Sequence, residues 1–279
     1  MQEKNIITFD VEEWYDSFYL DEREKAAVIK LNRVPLAVNK ILTLLSDSNT
    51  KATFFVVGKL AIENEDLIRS IVKEGHEIAS HGYTHKPIAM FTPKEFEMDL
   101  MRSIKELKQI TNKDILGYRA PGYSVTIKTL WALDIIKGCG LVYDSSIYPV
   151  SLRIFTSGGI SGYPQTPFLI KKDLVEFPMI TLSLAGIKVP VATTSYFRLF
   201  PYGVTKYAIN KYNARKIPAV LNFHSWEFDE EQPKIRLPFP QNMKHYYGLN
   251  KVIGRFRSLL KEFDFISCKD ALAVYNLTG

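Results

Sequence analysis

The chain has 279 residues, of which 46% are hydrophobic and 24% are charged, and this is an ordinary composition for a globular protein with a full core. Lysine and arginine outnumber the acidic residues by 36 to 30, but this formal excess of +6 is spread along the chain. A nucleic-acid-binding function is therefore not indicated, because such proteins gather their basic residues into a patch or run.

No segment of the sequence has the ~20 consecutive apolar residues that a membrane-spanning helix requires. The N-terminal residues lead directly into a strand-like segment without an apolar signal region. Cys139 and Cys268 lie far apart, and nothing in their spacing requires a disulfide, which favours a reducing compartment. We therefore expect a cytoplasmic protein without stable membrane insertion.

The first third of the chain alternates strand and helix patterns. Runs of β-branched and aromatic residues predict strands at 5–9, 52–58 and 76–80, and apolar residues at helical spacing predict helices at 35–45 and 60–74. This alternation is typical of parallel βα units, and it predicts an α/β fold with a barrel-like or wound sheet.

The alternation continues through the middle of the chain. Thr92 and Glu95 have the spacing of a capping box at the start of a helix, with Pro93 at its first position. Further patterns predict strands at 116–118 and 141–143 and a helix at 127–137, which Gly138 ends.

The last part of the chain is less regular. Glycines and prolines divide residues 150–218 into loops and short strands such as 174–177. The aromatic–basic run Tyr196-Phe197-Arg198 in this stretch suits buried packing somewhat better than a sugar platform. The patterns then predict strands at 219–223 and 265–267 around a basic amphipathic helix at 250–263. We expect a single domain over 1–279, with an insertion at about 150–218 and a C-terminal helical extension at about 245–279.

Two histidines four residues apart, His81 and His85, follow the strand predicted at 76–80. Neutral imidazole is a common zinc ligand, so the pair is a candidate metal site. The pattern is weak alone, because Gly82 follows His81 where a metalloprotease motif has its glutamate.

Polar residues lie at or just after the ends of several predicted strands, and this shared position makes the candidate site stronger. Since the carboxyl ends of parallel strands form the rim on which such folds assemble their sites, these side chains are expected to converge. They are Asp10, Glu12, His81, His85, Arg119, Asp144 and His224.

The polar residues lie in five short segments, which are, in chain order, Thr8-Phe9-Asp10-Val11-Glu12, Ser80-His81-Gly82-Tyr83-Thr84-His85, Arg119-Ala120-Pro121-Gly122-Tyr123, Asp144-Ser145-Ser146 and Phe223-His224. In this order the segments resemble the motifs of the polysaccharide deacetylases of the NodB-homology type, carbohydrate esterase family 4. The segments around Trp14, Arg198 and His245 are similar to a bacterial subgroup linked to exopolysaccharide gene clusters.

The resemblance implies a distorted (β/α) barrel with a divalent metal, usually zinc, held by a carboxylate and two histidines. His81 and His85 would be the imidazole ligands. Adjacent aspartates usually open the family's first motif, whereas Val11 separates Asp10 from Glu12 here. We assign Glu12 as the third ligand because it can share a face with Asp10, and Glu13 is the alternative.

The resemblance also implies the catalytic roles. Asp10 would be the base that takes a proton from water, and Arg119 would orient a catalytic carboxylate through an ion pair. The backbone N–H of Tyr123 would bind the oxyanion. His224 would protonate the leaving amine, with Asp144 near it to hold its charge.

These roles agree with the chemistry of amide hydrolysis, which needs an activated water, a stabilised oxyanion and a proton for a poor leaving group. The aromatic residues Trp14, Tyr123 and Trp226 at the rim suit sugar stacking, although aromatics also serve ordinary packing. Asn222 replaces a leucine that is usual in the last motif, so Leu221 or Phe223 would line the acetyl pocket instead.

The favoured function is therefore metal-dependent removal of N-acetyl groups from sugars of a bacterial polysaccharide or its precursor, with cobalt or another divalent ion as an alternative to zinc. Two other functions stay open. One is the hydrolysis of non-sugar C–N bonds, as in the allantoinase-like branch of the fold. The other is glycan binding without catalysis.

Overall fold

A sheet of nine strands forms the centre of the molecule in the computed structural model, which describes residues 3–16, 32–150, 159–184, 186–191 and 193–277. In chain order, the strands of this sheet and of a separate pair are Asn5–Val11 (β1), Thr53–Val56 (β2), Glu77–Ser80 (β3), Gly117–Tyr118 (β4), Tyr143–Asp144 (β5), Phe168–Lys171 (β6), Leu174–Glu176 (β7), Thr181–Leu184 (β8), Ile187–Pro190 (β9), Val220–His224 (β10) and Phe265–Ile266 (β11). The strands β8 and β9 form a separate antiparallel pair.

The helices pack around this sheet. They are Val34–Asp47 (α1), Gly58–Glu63 (α2), Glu65–Lys73 (α3), Pro93–Thr111 (α4), Ala132–Gly138 (α5), Thr194–Leu199 (α6), Tyr202–Asn213 (α7), Gln241–Tyr246 (α8), Val252–Glu262 (α9) and Cys268–Val274 (α10). The predicted capping box is confirmed, because the Thr92 side chain accepts from the Glu95 backbone and the Glu95 side chain accepts from the Thr92 backbone. None of the described helices combines the length and the apolar character needed to cross a bilayer.

The sheet has the order β10-β1-β2-β3-β4-β5-β7-β6, with β11 also pairing with β1. Every pairing is parallel except that between β6 and β7. This arrangement is the α/β fold with a barrel-like sheet that the alternation of strands and helices predicted, and it agrees with the distorted (β/α) barrel that the resemblance implied. The strand register brings the strand ends to one edge, where Asp10 pairs with His224 and Tyr118 pairs with Asp144.

Aromatic residues fill the core beneath that edge. Phe9 stacks on Phe54 with ring centroids 5.0 Å apart, and Phe223 meets Phe256 edge-on at 5.1 Å. Helices cover the sheet, so the central strands can be apolar on both faces, and all residues of β1 and β2 are buried. The rigid core fixes the strand ends that carry the polar residues.

Residues 150–218 contain more helix than the sequence predicted. Two helices, α6 and α7, lie in this stretch, and the prediction of loops and short strands misses them because it treats the glycines and prolines of the stretch as breaks. The buried face of α7 does have helical spacing, with Thr205, Ala208, Ile209 and Tyr212. Tyr196, Phe197 and Arg198 are buried, so the preference for packing over a sugar platform is confirmed.

Two predicted helices also begin or continue differently. The helix predicted at 60–74 is interrupted at Asn64, whose side chain donates to the carbonyl of Leu60. The helix predicted at 127–137 starts as the short 3-10 turn Ile127–Thr129 and becomes α-helical from Ala132.

One glycine beside the site has no room for a side chain. A Cβ on Gly117 would lie 1.9 Å from the ring of Tyr143, and that ring also donates from its hydroxyl to Glu77 Oε1 at 2.9 Å. We expect Gly117→Ala to lower the free energy of unfolding by about 1–3 kcal/mol or more, since overpacking displaces neighbouring groups. The measurement is urea unfolding followed by circular dichroism.

Gly138 provides the matched control. It ends α5, and a Cβ added there would have no heavy atom within 4 Å, so Gly138→Ala should be neutral or stabilise by about 0.5–1 kcal/mol. Equal effects of the two substitutions would contradict the packing of Tyr143 on Gly117.

Candidate metal and catalytic site

The turn that carries both histidines is held by hydrogen bonds from α4. His81 directly follows β3, and its backbone N–H donates to Val56 O at 2.9 Å. The Asp99 carboxylate accepts from Tyr83 N at 2.8 Å and from Thr84 Oγ1 at 2.7 Å. Gly82 has a φ of +75°, a conformation that glycine adopts without strain. The chain can therefore reverse between the two imidazoles.

Glu12, His81 and His85 bring three buried ligand atoms within 4.8 Å of one another. Glu12 Oε2 lies 2.7 Å from His85 Nε2 and 3.8 Å from His81 Nε2. Nδ1 of His81 lies 2.8 Å from Arg119 O, and a proton on Nδ1 makes this a hydrogen bond and leaves the lone pair on Nε2. A carbonyl acceptor of this kind is the usual support of a metal-binding histidine. The donor set therefore fits a divalent metal.

The alternative ligand, Glu13, makes different contacts. Its Oε1 accepts from Arg33 N at 3.1 Å, and the metal-capable group among the described residues contains Glu12 instead. Burial raises the pKa of Glu13 to about 7, against the lowering effect of its hydrogen bonds. These contacts direct Glu13 towards the start of α1 and support Glu12 as the carboxylate of the triad.

Asp10 lies next to the triad in a network of hydrogen bonds. Its Oδ1 accepts from Arg119 Nη1 at 2.9 Å, and its Oδ2 accepts from Asn222 Nδ2 at 2.7 Å. Arg119 Nη1 also donates to Asn222 Oδ1 at 2.6 Å. Arg119 thus forms an ion pair with a carboxylate, as the resemblance implied. The sequence analysis noted Asn222 only as a departure from the last motif and did not assign it a contact in the site.

His224 lies on the other side of Asp10, with Nε2 4.0 Å from Asp10 Oδ2 and 21% of its side chain exposed. Only 3% of the Asp10 side chain is exposed, so His224 is more accessible to solvent than Asp10. Nδ1 of His224 lies 2.6 Å from Glu227 Oε1. Glu227 was not predicted as a site residue.

The surroundings separate the pKa values of Asp10 and His224. Burial would raise the pKa of Asp10, but the charge of Arg119, followed by those of His81 and His224, lowers it below its ordinary value. Burial would lower the pKa of His224, but Glu12 and the hydrogen bond and charge of Glu227 raise it to about 9. Burial lowers the pKa of His81 to about 4. A carboxylate and an imidazolium therefore face each other at neutral pH, beside a neutral imidazole.

Asp144 does not have its predicted place beside His224. It pairs in the sheet with Glu176, and its side chain bonds to Ser146 Oγ at 2.6 Å and to the Glu176 carboxyl. Burial raises the pKa of both carboxyl groups, and the neighbouring charge of Asp144 raises that of Glu176 further, well above its ordinary value. The prediction that Asp144 holds the charge of His224 is wrong, and Glu227 occupies that position.

The aromatic side chains predicted to meet substrate are buried. Trp14 and Trp226 are 1% and 7% exposed, and the Trp226 ring stacks with the rings of His224 and His245. Since Trp226 is buried, it offers no stacking surface to a sugar. It instead donates from Nε1 to Glu12 Oε1 at 3.0 Å and so supports the carboxylate of the triad.

Two other details differ from the sequence predictions. The backbone N–H of Tyr123 donates to Ala120 O at 3.0 Å, so in this structure it does not point to an open oxyanion position. Leu221 and Phe223 are each 1% exposed and pack in the hydrophobic core. Neither lines an acetyl pocket here.

Two family models match the chain in succession. The family described as "Polysaccharide deacetylase" matches residues 20–141, which include the histidine turn and Arg119. The family described as "Domain of unknown function (DUF3473)" matches residues 145–273, which include His224 and Glu227.

Several curated relatives have deacetylase names. A peptidoglycan deacetylase of Helicobacter pylori is 29% identical over 157 residues, which are 51% of this chain and 52% of that protein. A chitooligosaccharide deacetylase of Bradyrhizobium is 26% identical over 111 residues, 40% of this chain and 51% of that protein. The chain thus spans about half the length of these relatives.

Solved structures share the fold. A Mycobacterium smegmatis protein described as a polysaccharide deacetylase aligns with a TM-score of 0.64 and 21% identity, covering 99% of this chain and 91% of that one. A Bacillus anthracis pseudoenzyme of carbohydrate esterase family 4 aligns with a TM-score of 0.51 and 14% identity, covering 96% of this chain and 65% of that one. These alignments confirm the predicted fold class.

The Asp144–Glu176 pair predicts a pH-dependent stability. Because the pKa of Glu176 is raised in the folded state from the ordinary 4.5, folding retains a proton that the unfolded chain loses above that pH. The contribution of this group to the free energy of unfolding should therefore fall as pH rises above about 4.5, by at most ~1.4 kcal/mol per pH unit for one proton. Glu176→Gln keeps the donor to Asp144 without a titrating proton.

We expect the stability of Glu176→Gln relative to wild type to increase between pH 5 and pH 8, as measured by urea unfolding at each pH. Asp173→Asn, at an exposed turn next to β7, is the control and should show a constant difference. A constant difference for Glu176→Gln would contradict the shared proton.

The triad predicts one divalent ion per chain. Protein stripped with chelator should bind one equivalent of zinc in calorimetry, and Glu12→Gln should weaken binding by at least about 100-fold, since outer-shell substitutions alone cost ~10–100-fold. Glu13→Gln is the matched control and should bind as wild type does. The reverse order of the two variants would identify Glu13 as the ligand.

Proposed function

Because this chain contains a polysaccharide deacetylase domain of the NodB-homology type, carbohydrate esterase family 4, we propose that it is a metal-dependent hydrolase that removes N-acetyl groups from sugars of a bacterial polysaccharide or its precursor. The observation that carries the proposal is the placement of Asp10 close to both His224 and His81, a member of the metal-capable triad. Asp10 Oδ2 lies 3.9 Å from His81 Nε2 and 4.0 Å from His224 Nε2.

The metal expected at Glu12, His81 and His85 is zinc, with cobalt as a possible substitute, because imidazole and carboxylate ligands suit both ions. When bound, a divalent ion would act as a Lewis acid that makes water more acidic and polarises the acetyl carbonyl. Three protein ligands leave positions open, as in catalytic rather than structural zinc sites.

Asp10 would act as the general base. Arg119 and Asn222 hold both of its oxygens and keep it ionised, so it can take a proton from the attacking water. The remaining hydroxide forms a bond to the acetyl carbon. Arg119 also fixes the direction of the carboxylate, because its guanidinium is completely buried among hydrogen-bond acceptors.

His224 would act as the general acid. A protonated His224 can give the Nε2 proton to the sugar nitrogen as the C–N bond breaks, and the products are a free amine and acetate. This division agrees with the general pattern in which neighbouring groups with widely separated pKa values serve as base and acid. The His224 side chain is also more exposed than that of Asp10, and a group that gives a proton to a bound glycan must be accessible from solvent.

The names of the curated relatives support an N-acetylated glycan as the substrate class. The relatives are named for peptidoglycan and chitooligosaccharides, and both contain N-acetylated amino sugars. We propose that the substrate of this chain has the same acetamido group, in a polymer or in its precursor.

The test is acetate release from N-acetylated chitooligosaccharides by protein stripped with chelator and then supplied with zinc, cobalt or no metal. We expect release only with metal. Asp10→Asn should lower the rate by ~10²–10⁴-fold, the usual contribution of a catalytic base. His81→Ala should abolish the metal-dependent release, because it removes a ligand of the triad. Asp134→Asn, on the exposed side of α5, should keep the wild-type rate.

Undiminished acetate release by Asp10→Asn or His81→Ala would contradict the assigned roles. Glycan binding without turnover under any metal would instead favour a catalytically silent protein, as the Bacillus anthracis pseudoenzyme shows to be possible on this fold.

A further inference from the structure

We propose that Glu227 is a positioning residue that fixes the tautomer and orientation of His224, and that Arg198 in turn fixes Glu227. The proposal rests on the deacetylase function proposed above and assigns the support of the general acid. It also gives a role to residues in the stretch matched by a family of unknown function.

The first observation is the contact between the two side chains. Nδ1 of His224 and Oε1 of Glu227 are 2.6 Å apart; His224 directly precedes the 3-10 turn Ser225–Phe228, and Glu227 lies within it. An ionised carboxylate only accepts hydrogen bonds, so the contact requires a proton on Nδ1. Nε2 is then the nitrogen that exchanges its proton with the substrate, and it is also the nitrogen that faces Asp10. A carboxylate that sets the imidazole tautomer in this way is a known device of hydrolases.

The second observation is that Glu227 cannot turn away. It is completely buried, and its other oxygen, Oε2, accepts from Nε of Arg198, which is itself 1% exposed. Burial would raise the pKa of Glu227, but the charge of Arg198, followed by the hydrogen bond and charge of His224, lowers it below its ordinary value. Glu227 therefore remains an ionised acceptor.

The third observation is that Arg198 is anchored in the C-terminal part of the chain. Its Nη1 donates to Tyr247 O at 2.6 Å and to His245 O at 3.1 Å, and its Nη2 donates to Lys244 O at 2.9 Å. These carbonyls belong to the end of α8 and the residue after it. The last carbonyls of a helix have no hydrogen-bond partner within the helix, and here they accept hydrogen bonds from the Arg198 guanidinium.

The ring plane of His224 is fixed as well. Trp226 lies nearly parallel to His224, with an interplanar angle of 10°, and nearly parallel to His245, with an angle of 5°. Nε2 of His245 is held by Gln232 Oε1 at 2.9 Å. The stack limits tilting of the His224 ring, while Glu227 limits its rotation.

No other described carboxylate has this relation to Nδ1 of His224. Asp144 is paired with Glu176, and Glu12 is a member of the metal triad, so a bound cation would compete for its charge. Glu227 is outside the metal triad, so a bound cation would not compete for the carboxylate that contacts Nδ1 of His224. The position of the general acid therefore depends on Glu227.

The decisive variant is Glu227→Gln, which keeps the size of the side chain but removes its charge. Two substrates are compared with metal present: N,N′,N″-triacetylchitotriose, whose amine must be protonated to leave, and 4-nitrophenyl acetate, whose phenolate leaves without a proton. We expect amide cleavage to fall by ~10²–10⁴-fold and ester cleavage to change only a few-fold. Because both rates come from one sample, a partly unfolded fraction cancels from their ratio.

Glu230→Gln is the matched control, three residues further on and exposed, and it should leave both rates unchanged. Glu227→Asp should restore part of the amide rate, since a carboxylate returns near Nδ1. An equal loss of both activities in Glu227→Gln, or an undiminished amide rate, would overturn the proposal.

A second readout needs no turnover. Long-range ¹H–¹⁵N spectra of ¹⁵N-labelled protein show which ring nitrogen of each of the five histidines carries a proton, and His224→Asn identifies the His224 signals. We expect a protonated, strongly hydrogen-bonded Nδ1 in wild type and in Glu230→Gln, and its loss in Glu227→Gln. An unprotonated Nδ1 of His224 in wild type would refute the contact.

The two readouts separate this inference from the function on which it rests. Wild-type protein that releases no acetate but shows the expected Nδ1 signal, lost in Glu227→Gln, would contradict the deacetylase function and support the positioning of His224. Active wild-type protein with an unchanged amide-to-ester ratio in Glu227→Gln would do the reverse.

Discussion

The buried guanidinium of Arg119 is the interaction on which the geometry of the site depends. Its Nη1 donates to Thr8, Asp10 and Asn222, and Nε and Nη2 donate to the backbone and side chain of Ser145. The carbonyl of the same residue holds Nδ1 of His81. One residue therefore orients both the base and a metal ligand. A completely buried cation is stable only with partners of this number and charge, and the loss of one partner typically costs ~3–5 kcal/mol.

The neighbouring groups Asp10 and His224 have different charge states because the residues that contact them have opposite charges. A cation and an amide hold Asp10, so it remains ionised, whereas carboxylates surround His224 and favour its protonated form. The strand register places these two residues opposite each other on β1 and β10. The sheet thus provides the distance, and the supporting residues provide the charge states that base and acid catalysis require.

Much of this could be predicted from the sequence, because strand patterns are local and parallel strands bring their ends together. That reasoning located Asp10, Glu12, His81, His85, Arg119 and His224 at one edge. It could not locate supports such as Asn222, Glu227 and Arg198, since each acts through a contact that depends on the tertiary fold. Asp144 was misassigned because its partner Glu176 lies on a strand inside the irregular region. The burial of Trp14 and Trp226 likewise depends on packing that a linear pattern does not contain.

The proposed site draws on both stretches matched by separate family models and on β1, which precedes them. The strands share one sheet, since β1 pairs with β2 of the first stretch and with β10 of the second, and Phe223 packs against Phe9 in the same core. The metal-capable histidines lie in the first matched stretch, whereas the proposed acid and its supports lie in the second. A base without the acid could activate water but could not expel a sugar amine, whose departure requires a proton. The second stretch is therefore required for the proposed reaction, because it provides the acid that protonates the leaving amine.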